Sequence, residues 1–232
     1  EAILRNPSAV ASLGAPTKFT VLIIDAQKPG NLDFAFARVN IPFPDDFVSN
    51  LPVTAMVVQD DLKVVIAGNF TSVNGTNRAG IVRLNSNGTI DSTFVPQAQP
   101  GSQILNVLQM GLQPDGRVVG GYDGVFRLNR DGSLDTAFDP GVGPLNALTV
   151  QKDGKFLISD EYYDRGADAF KSEVLRFLAD GTIDSNFGPP ELNDWVMTMA
   201  VQPDGKAVIG GYFTLANGAP QNGIARLNVD GT

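Results

Sequence analysis

The sequence predicts an all-β chain of the β-propeller class on three observations: two motifs recur in step, their copies lie 44 to 50 residues apart, and no helical period is sustained. The first motif runs from Arg83 to Phe94 as Arg-Leu-Asn-Ser-Asn-Gly-Thr-Ile-Asp-Ser-Thr-Phe. It returns over Arg127–Phe138 and Arg176–Phe187, and its first seven residues return from Arg226 to Thr232. Its second half also stands alone early, from Gly30 to Phe36. The other motif is Gln113-Pro-Asp-Gly, Gln151-Lys-Asp-Gly and Gln202-Pro-Asp-Gly; in Gln59-Asp-Asp-Leu, Leu62 replaces the glycine.

Each repeat reads into strands. Val53–Val58, Leu105–Leu112, Leu145–Val150 and Val196–Val201 are apolar runs that end at the Gln-x-Asp-Gly turn. Lys63–Ala67, Arg117–Gly121, Lys155–Ser159 and Lys206–Gly211 follow at once, so each pair reads as a hairpin. A third strand, such as Gly80–Asn85 or Gly223–Asn228, ends at another Asn/Asp-Gly turn. The short Ile-Asp-Ser-Thr-Phe segment is then a fourth strand or a strand-like close. Four-stranded antiparallel blades are expected, about four of them, near 51–96, 103–140, 144–188 and 194–232. A β-sandwich is the alternative, disfavoured because sandwiches rarely repeat their sequence in phase.

Composition excludes several activities. The 232 residues carry a formal charge of −8 with no basic run, which argues against nucleic acid as a partner. No stretch approaches the ~20 apolar residues of a membrane span. With no His and no Cys, Ser-His-Asp and Cys-His catalysis, thiol redox chemistry and Cys/His zinc sites are excluded. Carboxylates and carbonyls remain, and these suit hard cations. Calcium is therefore the candidate cofactor.

The pairing of Gln-Pro-Asp-Gly-Lys over Gln202–Phe213 with the Arg83–Phe94 motif resembles the delta-60 repeat, a bacterial β-propeller repeat, across about residues 30–232. The third repeat departs from it where Phe177-Leu178 stands for Leu-Asn. Ahead of the repeats, Leu4–Ser8, Ala11–Pro16 and Phe19–Asp25 resemble the last strands of a Calx-β domain. Residues 1–25 are then a Calx-β-like stub, 26–50 a linker with a partial repeat, and 51–232 the propeller. Together the resemblances imply a non-catalytic module of a large bacterial exported or cell-surface protein, acting in adhesion, in binding or as a spacer. Its partners would be a surface glycan or protein and neighbouring domains of the same longer polypeptide. Closure of a four-bladed ring by Gly30–Phe36 is the alternative to a ring with more blades.

Residues that recur in every repeat read as structural. Asp33, Asp91, Asp135 and Asp184 are placed to cap their own turns, and Arg83, Arg127, Arg176 and Arg226 to clamp a carboxylate or carbonyl between repeats. Deviations from the repeat are the better candidates for function. The third repeat inserts Asp160–Glu173, whose Asp160, Tyr162 and Tyr163 are ligand-binding candidates and whose Asp160, Glu161, Asp164 and Asp168 are cation candidates. The bland reading of this insertion is a solvated loop. Trp195, the only Trp, stands at the start of a first strand, where it could stack on a sugar or anchor a partner. The competing reading is a carboxylate-dependent glycan hydrolase using Asp160, Glu161 and Asp164 with Trp195.

Overall fold

The computed structural model describes residues 18–21, 36–42, 52–78, 80–96, 107–121, 123–164 and 169–232, with no side-chain description at 18–21, 161, 163–164 and 169–171. Two strands precede the repeats, β1 (Lys18–Val21) and β2 (Val39–Pro42). The first blade holds β3 (Ala55–Val58), β4 (Val64–Ala67), β5 (Ser72–Val73), β6 (Thr76–Asn77) and β7 (Ile81–Leu84). The second is β8 (Gln109–Leu112), β9 (Val118–Gly121) and β10 (Val125–Leu128); the third is β11 (Leu145–Val150), β12 (Phe156–Asp164) and β13 (Ala169–Phe177). The fourth comprises β14 (Val196–Val201), β15 (Ala207–Gly211), β16 (Leu215–Ala216), β17 (Ala219–Pro220) and β18 (Ile224–Leu227).

Each blade is an antiparallel meander, β3-β4-β7, β8-β9-β10, β11-β12-β13 and β14-β15-β18. The expected fourth strand is reduced to single antiparallel bridges, Leu84 to Ile90, Leu128 to Leu134 and Phe177 to Ile183. The cause is local. One residue after Ile90, Asp91 Oδ1 accepts the Thr93 amide at 2.9 Å, and the chain turns away from the sheet edge. The first strands are neighbours in chain order, β3 beside β8, β8 beside β11 and β11 beside β14. β1 pairs with β2, Lys18 opposite Pro42, so this hairpin bridges the segment read as a stub and the segment read as a linker.

Apolar cores lie between blades. Val65, Ala67, Ile81 and Phe94 meet Val107, Val118, Phe126 and Leu128 between the first two. Val119, Val125 and Phe138 meet Leu148, Phe156, Ile158 and Phe177 between the next two. Leu157, Val174 and Phe187 meet Val196, Ala207, Ile209 and Leu227 before the last. Alternation along a strand sends one residue to each neighbour, which is why all four positions of β4, β7, β9 and β10 are buried. Each closing Phe so buried stabilises its junction by roughly 1.5–3 kcal/mol.

Turn chemistry sets the ends. In the Gln-x-Asp-Gly turns Gly116, Gly154 and Gly205 have φ of 84°, 88° and 85°; Leu62 takes the same place with φ 64°. Asn74-Gly75 and Asn217-Gly218, all with positive φ, close the β5–β6 and β16–β17 hairpins as the Asn-Gly dipeptide directs.

Candidate functional site

The repeated charged residues form a junction device. Arg83 Nε donates to Asp91 Oδ2 at 2.8 Å, Arg127 Nη2 to Asp135 Oδ2 at 2.7 Å, and Arg176 Nε to Asp184 Oδ2 at 2.9 Å. A second cation joins each carboxylate: Lys63 at 3.0 Å, Arg117 at 3.3 Å and Lys155 at 3.2 Å. Each Arg also reaches forward, Nη1 donating to a turn carbonyl of the next blade: Arg130, Ala179 and Val229 in turn. Its guanidinium lies over the closing ring of its own repeat, 4.6 Å from Phe94, 4.1 Å from Phe138 and 4.7 Å from Phe187. The Gln of the other turn reaches forward too: Gln59 Nε2 to the Gly116 carbonyl, Gln113 to Gly154 and Gln151 to Gly205.

The electrostatics follow from that geometry. Burial acts to raise the Asp91 carboxyl, but hydrogen bonds from Thr93, Lys63 and Arg83 outweigh it and hold the group far below its ordinary 3.8. Burial opposes the same downward shift at Asp135, where Arg127 and the Ala137 amide prevail. At Asp184 the Asn186 amide, Lys155 and Arg176 prevail over burial. These Asp and Arg side chains are occupied with one another and with backbone, so they are part of the scaffold.

The end of the blades opposite the Gln-x-Asp-Gly turns is uneven. The first and fourth blades carry short hairpins there, in the second Gly121 pairs directly with Val125, and in the third the strands run on as a long ribbon. Where it is described, the Asp160–Glu173 insertion is a ribbon and not the solvated loop of the bland reading: β12 and β13 continue in register through Asp160–Glu173, Tyr162–Lys171 and Asp164–Ala169. Its Tyr and Phe residues favour extended structure. Four residues past Asp160 carry the ribbon about 13 Å beyond the blade. At its base Ser159 and Ser172 hydroxyls meet at 2.6 Å, both buried, and Ser159 also donates to the Val196 carbonyl at 3.1 Å, tying the ribbon to the fourth blade.

Between the ribbon and the fourth blade lies an open cleft of about 600 Å³. Tyr162, Glu173, Glu191 and Asn193 are among its polar lining, over Pro189, Pro190, Leu192 and Leu215. The segment 189–193 is fixed by the β16–β17 hairpin. Asn217 exchanges hydrogen bonds with Glu191 backbone, and Asn193 Oδ1 accepts the Thr214 and Leu215 amides at 2.9 and 2.8 Å. With Asn193 so used, Tyr162, Glu173 and Glu191 are the side chains left to meet a ligand.

Of the sequence candidates, Tyr162 lines this cleft and is exposed. Asp160 and Trp195 are half-buried and are not among its lining residues. The Trp195 carbonyl accepts the Tyr212 amide at 2.8 Å, so its backbone holds the rim of β14 against β15. The side chains of Tyr163, Glu161 and Asp164, and all of Asp168, lie outside the described residues. Among the described residues no group of three or more carboxylates is placed to hold a metal ion. Glu191 and Asn193 carried no sequence motif of their own; the signal was Pro189-Pro190, which breaks the repeat just before β14.

The family model described as a domain of unknown function (DUF5122) beta-propeller matches residues 59–94, 113–138 and 202–232. The unmatched blade is the one that carries the ribbon. Comparison with curated proteins finds no match. Among solved structures, a protein described as a "putative gluconolactonase" aligns at 13% identity and TM-score 0.46, over 68% of this chain and 54% of its own. The C-terminal WD40 domain of Sif2 aligns at 10% identity and TM-score 0.43, over 83% of this chain and 60% of its own. The extracellular domain of a protein assigned to a hybrid two component system of B. thetaiotaomicron aligns at 11% identity and TM-score 0.32, over 78% and 32%. The chain spans about half the length of the first of these and a third of the last. No helix among the described residues is long and apolar enough to cross a membrane. From blade topology and the matched repeats together, the chain is a β-propeller whose repeats are similar to the DUF5122 beta-propeller family.

Proposed function

We propose that this propeller is a non-catalytic binding module of a large bacterial exported or cell-surface protein, and that it engages its ligand in the cleft between the third and fourth blades. The carrying observation is the division of labour among polar residues. Arg83, Arg127 and Arg176 are consumed in the junctions with Asp91, Asp135 and Asp184, whereas Tyr162, Glu173 and Glu191 face a cleft found where the repeat is broken. An aromatic ring beside carboxylates over an apolar floor suits a glycan, whose hydroxyls donate to carboxylates while its ring faces cover the aromatic. The delta-60 and Calx-β resemblances support placement at the cell surface, and the charge of −8 suits a solvated exterior.

The test is glycan-array binding of the chain, with and without calcium, beside Tyr162→Ala and Glu173→Gln. Saturable binding reduced at least tenfold by either substitution is expected. Binding that both variants retain, or no binding at all, removes the glycan reading. The two glutamates in one cleft are the observation that favours a hydrolase as second reading. Glycoside turnover abolished by Glu173→Gln or Glu191→Gln would establish it.

A further inference from the structure

Three junctions in this molecule share one plan, and a fourth copy of the same surface is uncovered. Ile81, Val125 and Val174 stand two residues before Arg83, Arg127 and Arg176 and are 0, 5 and 0% exposed, each covered by the following blade. Ile224 holds that position before Arg226 and is 62% exposed. Arg226 is exposed as well, and Val208, its register partner, is half-buried where Val65, Val119 and Leu157 are buried. Among the described residues Gln202 reaches no glycine carbonyl of a following turn, as Gln59, Gln113 and Gln151 do.

We propose that this forward face of the fourth blade is a docking surface for a further blade of the same repeat type. The filled junctions define what the occupant must offer. It brings an apolar rear face like that of Ala207, Ile209 and Leu227, a turn carbonyl to accept Arg226 Nη1, and a glycine carbonyl to accept Gln202 Nε2. A small molecule or an unrelated loop supplies none of the three together.

The opposite end of the array supports a blade as occupant. Residues 36–42 lie on the first blade as 187–193 lie on the fourth. Ala37 N donates to the Asn87 carbonyl at 2.6 Å, as Gly188 N does to Asp230 at 2.8 Å. Asn74 exchanges bonds with Asn40 as Asn217 does with Glu191. Phe36 is therefore seated as the closing Phe of a preceding repeat, against Gly88. Met56 and Val58 on the same rear side are exposed, whereas their counterparts Met199 and Val201 pack against the core shared by the third and fourth blades. Both ends of the array thus present halves of the junction found inside it. A second copy of this chain, offering its first blade, is the competing occupant.

The test extends the 232-residue chain after Thr232 with its own residues 90–138, which continue Arg83–Thr89 in the way required of Arg226–Thr232. A second extension uses residues 134–187, so that a defect of one segment does not decide the outcome. Hydroxyl-radical footprinting reads the side chain of Ile224 directly. Modification at Ile224 is expected to fall at least fivefold, to the level of Ile81 and Val174 in the same digest, and Ile224→Asp is expected to restore the modification of Val208 in the extended chain. A lone blade cannot bury its own faces, so an appended segment orders only by docking. Unchanged modification of Ile224 in both extended chains overturns the proposal. Protection of Ile224 that rises with the concentration of the unextended chain, alongside dimers in sedimentation, overturns it in favour of the second copy.

Discussion

Phe138 and Gly181 belong to successive blades, yet the ring of one lies where a side chain of the other would begin: a Cβ on Gly181 would stand 2.8 Å from the Phe138 ring. The same meeting recurs between Phe94 and Gly132 and between Phe187 and Gly231. The glycine of the Asp-Gly turn thus has two reasons to be glycine. Its φ of 97° lies in the left-handed region, and the preceding blade occupies its side-chain space.

The two reasons separate by substitution. Gly141 has φ 68° with nothing within 4 Å of its Cβ position. Gly141→Ala is expected to cost about 1–2 kcal/mol from backbone strain alone. Gly181→Ala should cost at least about twice that, because Phe138 must also move. Urea midpoints of the two variants, compared at equal slope, check the difference.

Arg127 and Asp135 are the most informative charged pair. Their side chains are 6% and 16% exposed and joined at 2.7 Å. Asp135→Ala leaves a desolvated guanidinium without its main carboxylate, and a loss of about 3–5 kcal/mol is expected. Lys155, 32% exposed at its bond to Asp184, should cost under about 1 kcal/mol when changed to Ala. Equal losses for the two in denaturant unfolding would contradict this ranking.

Leu62 is a stabilising site waiting for its consensus residue. It is exposed, so little packing is lost by removing its side chain, and its φ of 64° carries a left-handed penalty. Leu62→Gly is expected to raise stability by about 1 kcal/mol, net of glycine's extra freedom in the unfolded chain. A lowered melting temperature would count against it.

Acid should weaken the propeller in a defined window. Asp91, Asp135 and Asp184 are all held below their ordinary 3.8 in the folded chain. A depressed folded value contributes stability that is fully present above the unfolded value and is lost as pH falls through the folded one. The melting temperature should therefore be flat from about pH 7 to 5 in this contribution and fall below about pH 4. Asp135→Asn should start lower and fall less on acidification. A melting temperature that rises between pH 4 and 2 would oppose the assignment.

The blades were legible because their turns are written in residue types with few conformational options. Asp-Gly and Asn-Gly fix where strands end, and the spacing of the copies fixes the unit. The Arg and Asp roles were legible in part: capping of Thr93 by Asp91 and the forward reach of Arg83 were both readable, but their joining in one ion pair depends on the Leu84–Ile90 bridge. The ribbon was hidden, since Asp160–Glu173 is rich in charge and reads as loop until its register with the opposite strand is seen. The cleft was hidden for another reason. Tyr162 and Glu191 lie 29 positions apart, and the docking of Asn217 on Glu191 and of Asn193 on Thr214 and Leu215 sets the segment that carries the second.

Because each junction is written half in one repeat and half in the next, its recurring glycine and Phe contacts do not read the order of the blades. Any blade whose Gly turn receives the preceding Phe and whose Phe enters the following turn is interchangeable at those contacts with its neighbours. Duplication or deletion of one whole repeat in the gene would therefore preserve these recurring contacts, while the tie of Ser159 to Val196 holds only where the third blade precedes the fourth. Blade number is then free to drift by recombination, while a change within a single turn is felt by two blades at once.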